Sequence, residues 1–285
     1  MIVVIGVGGQ LGQEYIKVLS SKNINFIPLK KKDLDISKFD DVYKTIKKIK
    51  PSVVINCSAY NQVDLAELDF VPAYQTNSIG PYNLAIACKE VGAKLVHYST
   101  DYVFDGKNKR LYIEEDKPNP LNQYGLSKLL GEEFIKQVMN ENFLIFRTSW
   151  VYGNGTQNFI YKILQWIEGN DVLQIAFNEV SVPTFTGFLV EKSLKAIEKE
   201  IHGLFHLVPN GYTSRYEWAK LTFKLLGISK TLIPVNKEIF EPLAKRPDFS
   251  PMSPKKIEKK LGETFEEWDE ILKNEIVSIK TNYNL

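Results

Sequence analysis

The feature that most constrains this chain is its opening. Four apolar residues, Ile2-Val-Val-Ile5, run straight into Gly6, Gly9 and Gly12, and Leu11, Tyr15, Val18 and Leu19 then recur on one helical face. A strand that turns on glycines into a helix begins a βαβ unit, which commits the following chain to a parallel sheet covered by helices. The alternation continues. Asn25 to Leu29 reads as a strand, Val42, Ile46 and Ile49 as a helix face, and Val53 to Asn56 as a strand. Asn77 to Val91 reads as a helix, Leu95 to Ser99 as a strand, Tyr124 to Gln137 as a helix and Phe143 to Thr148 as a strand.

The expected fold is therefore α/β, a Rossmann-type doubly wound parallel sheet. Beyond Trp150 the pattern loosens and prolines and glycines separate shorter elements, so residues 1–150 are read as a dinucleotide-binding domain. Residues 151–285 are read mainly as a smaller α/β substrate-binding lobe, with some later segments packing back onto the first domain. Two helix starts in that region carry the spacing of a capping box, Ser214 with Glu217 and Thr264 with Glu267. No repeat, low-complexity segment or flexible linker divides the two parts, so they are expected to share an interface and enclose a cleft.

A net charge of +2 gives no global attraction to nucleic acid or membrane, so any polyanion must be held by local geometry. No stretch approaches the roughly 20 apolar residues of a membrane span. The glycine turn follows the N-terminus too soon to leave room for a secretion leader, and Cys57 and Cys88 read as small buried hydrophobes rather than a disulfide. A cytoplasmic location is expected. The histidines His97, His202 and His206 are too scattered for a zinc site, and no metal is expected.

Gly6, Gly9 and Gly12 stand in the order G-x-x-G-x-x-G, with Leu11 where G-x-G-x-x-G would place its third glycine. Glycines at such a turn let backbone N–H groups approach a pyrophosphate, and the helix N-terminus favours its negative charge. Past the second strand, Asp35 could accept from an adenine amino group or instead cap the helix after Ser37. The strand itself runs into Pro28-Leu29-Lys30-Lys31-Lys32. No carboxylate stands there to bind a ribose 2′-hydroxyl, and the ammonium groups of Lys30, Lys31 and Lys32 would favour a 2′-phosphate, so NADPH is expected to serve at least as well as NADH.

Tyr124 and Lys128 lie four apart, so a helix presents both on one face. An adjacent ammonium would ease proton release from a phenol whose ordinary pKa is about 10. Thr100 closes a strand of the expected sheet, where open α/β folds place their ligands, and can hydrogen-bond a substrate oxygen. Tyr124, Lys128 and Thr100 are the catalytic candidates.

The segments Val7-Gly-Gly-Gln-Leu-Gly12, Val63-Asp-Leu-Ala-Glu67, Val91 to Phe104, Pro120-Leu-Asn-Gln-Tyr-Gly125, Arg147-Thr-Ser-Trp-Val-Tyr-Gly153, Phe205-His-Leu-Val208 and Lys245-Arg-Pro247 together resemble the dTDP-4-dehydrorhamnose reductase family of extended short-chain dehydrogenases. The likeness runs nearly end to end. It implies a nicotinamide-dependent reduction of the 4-keto group of dTDP-4-dehydro-L-rhamnose, with a nucleotide-sugar (dTDP-hexose) partner and a homodimer. It implies that Tyr124 gives the proton, that Lys128 lowers its pKa, and that Thr100, Asp101 and Trp150 meet the sugar. Gly9, Gln10 and Leu11 would cradle the pyrophosphate, Asp35 and Ile36 would hold the adenine, and Ala59, Tyr60, Asn61 and Tyr98 the rest of the cofactor. Asn77 follows the pattern of helix residues that line the cofactor. Some family members bridge a dimer through magnesium and glutamates; Glu14 matches one such position, but Gly187 stands at another.

Two rival classes remain. Related dehydratases carry Asp-Glu after the strand-end threonine, whereas Tyr102 follows Asp101 here; epimerases, or reductases of another nucleotide-4-keto-sugar, stay open. A non-catalytic binding module resembling the regulatory subunit of methionine adenosyltransferase is the other, and the joint retention of Thr100, Tyr124 and Lys128 opposes it.

Overall fold

A computed structural model describes residues 1–283; the last two residues of the second expected region lie outside the described residues. Its centre is a six-stranded, wholly parallel sheet. In chain order the first five strands are β1 (Ile2–Ile5), β2 (Phe26–Leu29), β3 (Val53–Asn56), β4 (Lys94–Thr100) and β5 (Phe143–Thr148). The sixth, Gly203–His206, comes from beyond residue 150 and pairs with β5, so that the spatial order is sixth strand, β5, β4, β3, β1, β2. The chain thus returns to complete its first sheet.

Burial explains why these segments are strands. Every residue of β3, β4 and β5 is buried, as continuous apolar runs covered on both faces require. One face packs on helices α1 (Gln10–Ser21) and Thr186–Glu198 through Tyr15, Leu19, Leu189 and Val190. The other meets α2 (Phe39–Ile49), α3 (Gly80–Val91) and α4 (Gln123–Met139) through Val42, Ile46, Leu84 and Ile135. In α2, Asp40 and Asp41 sit in the first turn and Lys47 and Lys48 in the last, matching the helix dipole.

The rest of the chain forms short strand pairs, among them Val172–Ala176 with Thr231–Val235, and helices grouped around Trp218. Ser214 caps its helix as expected, its hydroxyl accepting from the Glu217 N–H at 3.1 Å. The second capping reading needs correction. The last helix begins at Trp268, past both Thr264 and Glu267. Asn210 holds the intervening segment extended instead: its side-chain amide donates to the Phe265 carbonyl, and its backbone pairs with Glu266 and Trp268.

Candidate active site

The glycine turn comes first. Gly6 adopts φ +83°, and a Cβ there would lie 2.6 Å from the Ser58 nitrogen, so both conformation and space demand glycine. Gly9 is the residue before α1 and offers no side-chain cap, and a Cβ at Gly8 would meet nothing within 4 Å. The helix N-terminus is therefore bare and open on that side, which fits a pyrophosphate. Leu11 and Gly12 are buried, Gly12 lying against the Gly6 carbonyl. Gln10 points across the molecule: its amide donates to the Val151 carbonyl at 3.0 Å.

At the next strand end, Asp35 accepts from the backbone and hydroxyl of Ser37 at 3.1 and 2.8 Å through one oxygen, and these bonds with nearby Lys31 and Lys38 hold its pKa below the usual value despite its partial burial. It stabilises a turn rather than α2, whose cap residue is Lys38. Ile36 is buried against Gly80. Lys31, Lys32, Lys38 and Lys44 line an open cavity of about 800 Å³ beside Asp33 and Asp35. Lys30 is exposed, its backbone N–H bonded to Asp33.

The segment Ala59 to Asn61 is held from beneath. Asn77, fully buried in a π-type turn (Gln75–Ile79), accepts from the Tyr60 N–H at 2.9 Å and donates to the Tyr60 carbonyl and the Ser127 hydroxyl, each at 3.0 Å. Its amide is committed to the protein. It shapes the loop rather than facing a ligand.

Thr100 ends β4, its hydroxyl accepting from the Tyr102 N–H and donating to Asp101, both at 3.2 Å. The Tyr124 hydroxyl meets Thr100 and donates to Asn61 Oδ1 at 3.4 Å. Burial pushes the phenol up to about 12, with the nearby Thr100 hydroxyl opposing and Asp101 adding to the rise. Lys128 does not figure among the groups that move it. The Lys128 ammonium, itself buried, donates to the Tyr98 carbonyl at 2.5 Å; desolvation lowers it to about 8 and the Glu132 carboxylate opposes that fall. α4 can lie this close because of glycine: a Cβ at Gly131 would stand 2.2 Å from the Asn77 carbonyl.

Three expected residues have side chains engaged mainly by the protein itself. The Tyr98 ring points into the core, its hydroxyl 2.6 Å from both Tyr15 and Ser193, and only its carbonyl reaches the pair. Asp101 is buried with both oxygens engaged, by Thr100 on one and by Ser181 (2.8 Å) and Ser250 (2.6 Å) on the other. Trp150 is mostly buried at φ +42°, a strained conformation for an aromatic residue, stacked on Trp218 at 5.6 Å and covered by the Arg215 guanidinium at 3.7 Å.

The comparisons with known proteins follow this geometry. The family model described as the RmlD substrate binding domain matches residues 1–280. The chain belongs to that family. It is similar to the dTDP-4-dehydrorhamnose reductase of Aggregatibacter actinomycetemcomitans, 33% identical over 96% of this chain and 97% of the relative. A solved dTDP-4-dehydrorhamnose reductase of Clostridium acetobutylicum superposes with a TM-score of 0.95 at 40% identity, covering 98% of this chain and 99% of that one. The Bacillus anthracis reductase, solved in complex with NADP, gives 0.93 at 33% identity, with 97% and 98% covered.

Within the family fold, several residues at the strand ends carried no signal in the sequence. Ser181 and Ser250 reach Asp101 from 80 and 149 residues away. Arg215, paired with Glu179 at 3.4 Å, adds to the same region, whereas Arg246 and Asp64, paired at 2.6 Å, join two segments the resemblance had singled out. Only the periodicity of their own elements was local. Among the described residues no group of three or more His, Cys, Asp or Glu could hold a metal ion, and no helix is long and apolar enough to cross a membrane.

Proposed function

We propose that the chain reduces the 4-keto group of dTDP-4-dehydro-L-rhamnose with NADPH or NADH, giving dTDP-L-rhamnose. The observation that carries this reading is Tyr124, its hydroxyl beside the strand-end Thr100, four residues before a buried Lys128. When bound, the reduced nicotinamide supplies a hydride to the carbonyl carbon. Gly6, Gly9, Gln10, Leu11 and Gly12 would hold its pyrophosphate, Asp35 and Ile36 its adenine end, and Ala59, Tyr60 and Asn61, with the Tyr98 backbone, the rest of it.

Tyr124, a phenol raised to about 12, holds a proton to give at neutral pH. Thr100 and Tyr124 share the carbonyl oxygen, and as charge develops there the Tyr124 proton crosses to it. Lys128, charged below about pH 8, then stabilises the phenolate left behind and meets the cofactor ribose. Asp101 orients the Thr100 hydroxyl, and Trp150 with Arg215 walls the sugar side. A dehydratase reading lacks its base, because Tyr102, which follows Asp101, is buried edge-on to Tyr124.

The same reading places the enzyme in the cytoplasm, in keeping with the free thiols Cys57 and Cys88, and as a homodimer without bridging metal. Residues 1–150 serve the cofactor and most of the remainder the sugar. The test offers several nucleotide-4-keto-sugars with reduced nicotinamide and follows absorbance loss. Consumption with the dTDP-6-deoxy-4-keto-L-hexose is expected; consumption only with another sugar, or with none, overturns the reading.

A further inference from the structure

Tyr124, Lys128 and Glu132 are spaced by four along α4, so they fall in line on one helix face. Glu132 is fully buried, and the sheet beneath it supplies its donors. The Ser99 hydroxyl of β4 donates at 2.5 Å, Arg147 Nε of β5 at 2.9 Å and Arg147 Nη2 at 2.7 Å. Arg147 is in turn held over the Phe104 ring at 5.1 Å. The carboxylate has little freedom to move.

The surroundings of Lys128 hold one anion. On its own helix it has Tyr124 and Glu132; β4 contributes His97 and Ser99, and β5 contributes Arg147 behind the carboxylate. Burial, with the Lys128 charge second, holds His97 well below its ordinary value and so neutral. The turn Gln75–Ile79 carries no titratable side chain, α3 turns Tyr82 toward Phe134, and Asp101 reaches the pair only through Thr100 and Tyr124. Glu67 and Tyr74 engage Gln123 at the first turn of α4.

We infer that Glu132, fixed by Ser99 and Arg147 one helical turn beyond Lys128, is a positioning residue whose carboxylate keeps the Lys128 side chain charged behind Tyr124. The inference rests on the reading of Lys128 as the partner of Tyr124. Stability alone does not account for the arrangement, because a buried ion pair can often be exchanged for apolar side chains at no cost to the fold. A carboxylate one helical turn from a desolvated ammonium has a definite electrostatic effect: it holds the proton on Lys128 against burial.

The test is the pH dependence of kcat/KM for the keto sugar at saturating NADPH, in the wild type, Glu132→Gln, Arg147→Met, Lys128→Met and the double variant Glu132→Gln with Arg147→Met. A wild-type alkaline limb near pH 8 is expected. Glu132→Gln moves it down by about one pH unit, roughly tenfold in rate above the limb, and Arg147→Met moves it up. A merely structural pair would give losses of one sign at all pH values with the limb unmoved, and that result in folded Glu132→Gln overturns the inference. If neither single variant folds, the double variant decides: Glu132 is the nearer charge to Lys128 and Arg147 stands behind it, so its loss outweighs that of Arg147, and a limb below wild type supports the inference while a limb at or above wild type, or failure to fold, overturns it. A wild type without reductase activity, or a Lys128→Met variant with an unchanged rate and limb, shows instead that the underlying reading of Lys128 has failed.

Discussion

The glycine turn and the sugar side of this molecule are built by different rules. In the turn and the catalytic helix, the main requirements are met within a few residues: Gly6 at positive φ, the bare start of α1, and Tyr124 and Lys128 one helical turn apart. On the sugar side, Asp101 takes its hydrogen bonds from Ser181 and Ser250, Gln10 reaches Val151 141 residues away, and Arg246 grips Asp64 across 182. The spacing of the proton-donating pair is thus set by local backbone geometry, with Lys128 anchored on the Tyr98 carbonyl. The walls around it are fixed by contacts between distant segments, which can change while the pair stays as it is.

The sharpest way to break this contrast is Tyr124→Phe. The ring keeps its edge contact with Tyr102 and only the proton is lost. Turnover is expected to fall by roughly 100-fold or more, the usual scale for a positioned general acid, while calorimetry shows cofactor binding intact. Turnover at the wild-type rate would move the acid elsewhere.

Asp101→Asn probes the junction of the two regions. A hydrogen bond to a charged group contributes about 1.5–3 kcal/mol, so a loss of roughly tenfold in kcat/KM for the sugar is expected as Thr100 loosens. Burial raises Asp101 from 3.8 to about 6, so between those values the folded protein holds a proton that the unfolded chain releases. Its contribution to stability is full below pH about 4 and is lost as pH rises through about 6. Melting temperature against pH should therefore show less decline over this window in Asp101→Asn than in the wild type. Identical slopes would mean that the carboxyl is not desolvated.

This contrast also explains what the sequence could disclose. The first five strands and their helices were legible because apolar runs and glycine turns are local signals; β4 and β5 are buried from end to end. Thr100, Tyr124 and Lys128 could be singled out because strand ends and four-residue spacing are visible in one dimension. The burial of Asp101 between two serines, the inward turn of Tyr98 toward Ser193, and the return of Gly203–His206 to the sheet depend on which distant segments meet. No local pattern encodes that. Thr264 and Glu267 show the converse error, a correct capping spacing overruled by the pairing of its segment with Asn210.

The smallest effect concerns the second strand end. Lys31 and Lys32 are exposed in an open cavity, so any gain for a 2′-phosphate is screened. The specificity constant for NADPH is expected to exceed that for NADH by a few-fold at low salt and to approach it as salt rises. Lysine-to-alanine changes at both positions should remove the salt dependence. A clear NADH preference at low salt would contradict this reading of the turn.

The most direct test of the central claim follows the hydride itself. The purified chain is given reduced cofactor carrying deuterium at the transferable C4 position of its nicotinamide, together with dTDP-4-dehydro-L-rhamnose, and the product is examined by NMR and mass spectrometry. The account predicts one deuterium, bonded to C4 of the sugar, with one oxidised cofactor released per product. Sugar turnover without deuterium at C4, or with no net consumption of the reduced cofactor, would contradict it and point to an epimerase.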